Sequence, residues 1–236
     1  MQDQSKQRIS NDPEQVAPLV RVLIALLVIG LGVGLAYVVL SLPSVATGLT
    51  QAVNAHLPQS GVTHPVTAVL LNFRGYDTLL EMAVLLLALM GVWALGDSVH
   101  FHDHAPGPVL DTLARLLAPV LILVAAYLLW VGAHAPGGAF QAGSVLGAAG
   151  VLLLLAGWHP PVGLMALPLR LVLVLGPAAF VTIALVTFVI KGQLLAFPVN
   201  YAGVLILVLE AAATVSIGIT LAALFVGGQP QEEQHK

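Results

Sequence analysis

The chain has 236 residues, 58% of them apolar and only 8% charged, with a mean hydropathy of +0.98 and a formal net charge of −3. Soluble domains carry about a quarter of their residues as charges, so this composition excludes a soluble globular protein, and the acidic balance leaves no footprint for nucleic acid. Cysteine is absent, which removes disulfides, thiolate metal sites and iron–sulfur ligation.

Residues 1–19 form a polar tail with Asp3, Lys6, Arg8, Asp12 and Glu14, which is no secretory signal, so the apolar run after it reads as a retained anchor. Six apolar stretches near 20 residues then follow, at 20–42, 79–95, 113–131, 139–156, 168–190 and 201–226. Helices are the expected form, because an open sheet would leave backbone groups unpaired in lipid and the alternation of a membrane barrel is missing. The expected fold class is therefore all-α, a polytopic membrane protein of about six transmembrane helices in a bundle with short loops.

A two-helix module is expected over 20–96, a His/Pro/Gly loop over 97–112, a four-helix module over 113–226 and a polar tail over 227–236. Lys6, Arg8, Arg21, Arg115, Arg170 and Lys236 fall on one side of that arrangement, and only Arg74 and Lys191 on the other. By the positive-inside rule both termini face the cytoplasm.

Three charges, Arg74, Asp77 and Glu81, gather at the mouth of an apolar run, within Asn72-Phe73-Arg74-Gly75-Tyr76-Asp77-Thr78-Leu79-Leu80-Glu81. An unbroken helix over residues 66–96 would rise roughly 46 Å, much more than the hydrocarbon thickness of about 30 Å. Such a helix either projects or breaks, and Asn72 and Gly75 are poor helix formers at the place where a break would fall. A break there holds Arg74 and Asp77 at an internal junction with Glu81 about one turn deeper, a pattern that lines cavities in transporters. The plainer reading makes Arg74 and Asp77 an anchor and cap at the water interface.

Beyond the third stretch, Pro136-Gly137-Gly138-Ala139-Phe140-Gln141-Ala142-Gly143 allows either a re-entrant turn or a compact helix hairpin, and the hairpin is preferred, with Gly143, Gly147 and Gly150 packed on a neighbour. Lys191 closes the fifth stretch, where it either snorkels to the interface or serves as the cation of a charged path. Glu210 is the clearest intramembrane acid, set between Val204–Leu209 and Ala211–Ala213, and should face protein or water as a proton-exchanging group or a hydrogen-bonded structural carboxyl. His100, His102 and His104 are a weak metal candidate on a loop without remote partner ligands. No catalytic triad or phosphate-cradling loop emerges, so neither enzyme activity nor a cofactor is expected.

Two of these motifs together resemble a known family. Residues 66–92, with Asn72 to Thr78 and Glu81, resemble the module at the tail of the large A-type chain of Mrp-type cation/proton antiporters, which also appears as the small E-type (MbhE) chain of membrane-bound hydrogenases. Residues 113–226 resemble the B-type (MnhB/MrpB) chain of Mrp antiporters, whose turn usually reads Pro-Gly-Gly-Gly-Phe-Gln; Ala139 stands here in place of the third glycine. Glu210, before the small-residue run 211–218, resembles the acid of that family's last helix. The resemblance implies a fused subunit in a prokaryotic cytoplasmic (inner) membrane, working with large channel-like A- and D-type subunits and small C-type subunits to exchange sodium or another monovalent cation for protons. It also implies an accessory ion or proton route through Arg74, Asp77, Glu81 and Glu210, with Lys191 as a further candidate. Two other readings stay open: the same module serving energy coupling in a complex-I-like redox or carbon-uptake assembly, and a scaffold subunit that conducts nothing.

Overall fold

The computed structural model describes residues 18–42, 48–95, 107–158 and 167–227. Helix α1, Pro18–Leu40, belongs to a compact unit of its own, Met1–Gly48, and its 23 residues include one charge, Arg21. The second unit, Leu49–Lys236, contains α2 (Thr50–His56), the short α3 (Pro65–Thr67), α4 (Gly75–Leu95), α5 (Pro108–Val131), α6 (Ala139–Leu155), α7 (Leu167–Lys191) and α8 (Ala202–Gly227). The described residues hold no strand. Uncharged runs in lipid satisfy their own backbone groups only as helices, and so even Pro119 in α5 and Pro177 in α7 are carried inside continuous spans.

Five of these helices, α1, α4, α5, α7 and α8, are long and apolar enough to cross a membrane. The sixth expected span, α6, has only 17 residues and rises about 25 Å. It falls short of a hydrocarbon core of about 30 Å, a difference that matters for the site below.

Helix α8 is the hub of its unit. It packs on α6 and α7 and, to a smaller extent, on α4, while α5 pairs with α6 as a hairpin. Its buried positions include Ile206, Leu209, Ala213 and Ile217, and these meet Phe180 of α7 and Met82 of α4 in one apolar cluster. A polar tie crosses the seam with α7, where the Ser216 hydroxyl donates to the Leu173 carbonyl at 2.6 Å.

The α6–α8 seam is close because one side lacks side chains. A Cβ placed on Gly143 would lie 2.8 Å from Ile217 Cγ2 and 2.9 Å from its Cβ, and one on Gly147 would lie 3.1 Å from the Gly218 carbonyl oxygen. Small residues at helix interfaces permit this approach in membranes, where apolar burial alone gives no drive for association. Gly143→Val is expected to force the two helices apart at a cost of about 1–3 kcal/mol. The purified protein in detergent should then lose roughly 5 °C from its thermal midpoint; an unchanged midpoint would show that the seam is not tight.

Candidate functional site

The chain enters α4 through a break. After α3 the backbone forms a π-helical segment, Ala68–Phe73, which ends at Arg74 with φ −131° and ψ 36°. The Arg74 N–H donates to the Val69 carbonyl at 2.7 Å, and Gly75 begins α4. Groups freed by the widened turn find partners: the Thr78 hydroxyl donates to the Leu70 carbonyl at 2.7 Å, and the Asn72 amide donates to the Ser60 carbonyl at 2.9 Å. Leu195, buried in the α7–α8 loop, lies under Gly75, where a Cβ would be 3.2 Å from its Cδ1. Arg74 and Asp77 pair at 2.6 Å with both side chains partly exposed, which is the geometry of a helix-start ion pair. Glu81 follows one turn later and is exposed on the side of α4.

The same entry segment covers the α5–α6 turn. The N–H groups of Thr63 and His64 donate to the Ala133 carbonyl at 2.9 and 3.0 Å, and the Thr67 hydroxyl donates to the Gly132 carbonyl. These bonds occupy carbonyls that the end of α5 leaves open. The turn folds tightly, with the Gly138 N–H donating back to the Leu128 carbonyl at 2.9 Å.

Glu210 meets that turn. It is 2% exposed, and its carboxylate receives the Ala139 N–H at the first residue of α6. Gly138, at φ +103°, brings its backbone so near that a Cβ there would stand 2.7 Å from Glu210 Oε1. Oε2 has no hydrogen-bond partner among the described residues. The Thr214 hydroxyl one turn away is spent on the Glu210 carbonyl at 2.7 Å and does not reach the carboxylate.

The short length of α6 now has a cause. Glu210 lies eight residues beyond Ala202, about 12 Å along α8, and α6 starts at that level rather than at the end of the bundle. Its open N–H groups and the positive end of its dipole therefore point at a buried acid inside the span. The carboxylate faces the Ala139 N–H and keeps one oxygen free, an arrangement suited to taking on and releasing a proton at Oε2.

Asp77 and Glu81 share a lateral groove of about 660 Å³ with Val84 of α4, Phe140 and Ser144 of α6 and Leu221 of α8. Phe140 follows Ala139 directly, so the residue after Glu210's donor forms part of the groove wall. Glu81 and Glu210 are not joined by a hydrogen bond or ion pair among the described residues. Lys191 is exposed at the last position of α7 and pairs with no described acid. Of the turn residues, Gly138 touches Glu210, Phe140 lines the groove, Gly143 forms the helix seam, and Pro136, Gly137 and Gln141 shape or border the turn. His100, His102 and His104 lie outside the described residues.

Thr67 takes a place in this arrangement that the sequence did not mark, whereas Phe140 belongs to the turn that it singled out. Ala139, marked there only as a departure from a third glycine, acts through its backbone, which no side-chain motif announces.

Residues 109–229 match the family model described as a domain related to the MnhB subunit of Na+/H+ antiporter, and residues 19–100 match the MbhE model, which describes the E-type chain of MBH. A protein of Rhizobium meliloti (strain 1021), named as the A/B chain of a probable K(+)/H(+) antiporter, is 30% identical over 163 aligned positions, covering 56% of this chain and 16% of that protein. Among solved structures, a chain of the membrane-bound sulfane sulfur reductase, an archaeal respiratory membrane complex, aligns with a TM-score of 0.70 and 25% identity over 91% of this chain and all of that one. A chain of the Mrp complex from Dietzia sp. DQ12-45-1b aligns with a TM-score of 0.62 and 25% identity, over 93% of this chain and 27% of that one. The chain thus spans a small part of the antiporter proteins it resembles.

Proposed function

The chain belongs to the family of domains related to the MnhB subunit of Na+/H+ antiporters, and from that premise we propose that it is a membrane subunit of a multisubunit Mrp-type antiporter exchanging a monovalent cation, sodium or potassium, for protons. The observation that carries the reading is Glu210, a buried carboxylate held by the Ala139 N–H with its second oxygen unpartnered. An ionisable group kept inside a span against its solvation cost marks an ion or proton path. Glu210 is the proton-exchanging group of this subunit, Asp77 and Glu81 with Arg74 stand at the α4 break as the mouth of an accessory route, and Lys191 is its outlying cation. The large channel-like A- and D-type and small C-type chains of the complex supply the remainder. The protein sits in a prokaryotic cytoplasmic membrane with both termini inside, its sequence organised as an E-like two-helix module joined to a B-like four-helix module.

A second reading has one specific support, the alignment with an entire chain of an archaeal respiratory complex. There the same subunit would couple a redox reaction to ion movement. Purifying the native complex separates the two: large antiporter-like chains alone support the first, and a redox enzyme in stoichiometric amount supports the second.

The subunit role itself is tested by deletion. Cells carrying the remaining genes without this chain are expected to lose cation-dependent proton movement in membrane vesicles, and the intact chain supplied separately should restore it. Full activity without the chain would contradict the proposal.

A further inference from the structure

We propose that the lateral groove between α4, α6 and α8 is the seat of a transmembrane helix from a partner subunit, and that this helix carries a lysine or arginine that pairs with Glu81. Glu81 lies six residues beyond Gly75, about 9 Å into α4, and is exposed on the groove wall beside Val84 and Leu221. A carboxylate at that depth is strongly disfavoured against lipid and is retained where protein or water covers it. Arg74 does not neutralise it, because that guanidinium is already paired with Asp77 at 2.6 Å. Ser144 offers no donor either, since its hydroxyl is given to the Phe140 carbonyl at 2.8 Å. Beside the paired Asp77 and the internally bonded Ser144, the groove therefore presents one unmatched negative charge in a wall that is otherwise apolar.

Charge complementarity selects the occupant. An acyl chain has no donor to offer, and an anionic phosphate would be repelled by Glu81. A second copy of this chain is a poor fit, because among the described residues its cations other than the paired Arg74 and Arg115 lie near helix ends: Arg21 in the first turn of α1, Arg170 in the first turn of α7 and Lys191 at the end of α7. Arg115 is held by Asp111 at 3.0 Å. An apolar helix from another subunit, with one basic side chain about two turns from its end, satisfies both the wall and the charge.

This rests on the multisubunit reading above but not on Glu210 or on any flux. It is read by contact in membranes from cells that make the whole complex. A photo-crosslinking side chain is placed at Val84 or, as a second groove position, at Leu80, with the exposed Met90, on another face of the same helix, as the control outside the groove. Both groove positions should crosslink several-fold more strongly than Met90 to one apolar helix of another subunit that carries a lysine or arginine. Glu81→Gln should lower that yield several-fold, and Glu81→Lys combined with a lysine-to-glutamate change in the partner should restore it. Crosslinks to lipid alone, to another segment or copy of this chain, or to a helix without a basic residue would overturn the proposal, as would a yield unaffected by Glu81→Gln.

Discussion

A single methyl group added at position 138 is expected to destabilise the protein and disturb its buried acid at once. Gly138 sits at φ +103° and ψ −171°, a region essentially closed to residues with a Cβ, where strain costs about 1–3 kcal/mol. The added Cβ would also stand 2.7 Å from Glu210 Oε1, so the carboxylate must move off the N-terminus of α6. Gly138→Ala should lower the thermal midpoint in detergent by roughly 5–10 °C. Combined with Glu210→Ala it should cost less than the two changes added together, because the steric conflict disappears while the backbone strain remains. A midpoint equal to that of the native protein would show that Gly138 has no special constraint.

The second large effect concerns what replaces Glu210. Glu210→Gln keeps the side-chain length and an acceptor for the Ala139 N–H, so the α5–α6 turn should stay docked on α8 and the complex should assemble. Glu210→Ala removes that acceptor and leaves a cavity. A buried donor stripped of its partner costs about 1–3 kcal/mol, and the lost packing adds to it. The alanine variant should therefore melt roughly 5 °C below the glutamine variant. Equal midpoints would mean that the Ala139 N–H does not depend on this carboxylate. The comparison separates the structural part of Glu210 from its chemistry, since both variants lack an exchangeable carboxyl and only one lacks the hydrogen bond.

Much of the fold was legible because a bilayer permits so few backbone solutions. Uncharged runs gave the helices, and their positions agree with the structure to within a few residues for α5, α6, α7 and α8. The break before α4 was legible through length alone, since 31 residues of helix are too many for one span. Its form was not: Arg74 carries the irregular dihedrals, whereas Asn72 stays in the π-helical segment and bonds Ser60. The individual parts of the acid site were legible as well, Glu210 as an acid within a span and Gly137-Gly138 as a turn. Their meeting was not, because about 70 residues separate them and the contact is made by a backbone N–H. Ala139 in place of a third glycine costs nothing at that bond, since either residue supplies the same N–H. Fractional burial around α8, and hence the groove beside Glu81, depended on which helix faces pair, and nearly uniform apolar sequences do not encode that choice visibly.

Proton exchange at Glu210, as proposed for this subunit's contribution to antiport, can be followed by reconstituting the purified complex into liposomes and measuring cation-driven proton movement with native Glu210 and with Glu210→Gln, at equal amounts of assembled complex. The glutamine variant is expected to lose about tenfold or more of that movement, as when a positioned proton-transfer group is removed. A variant that assembles fully and moves protons at the native rate would contradict it.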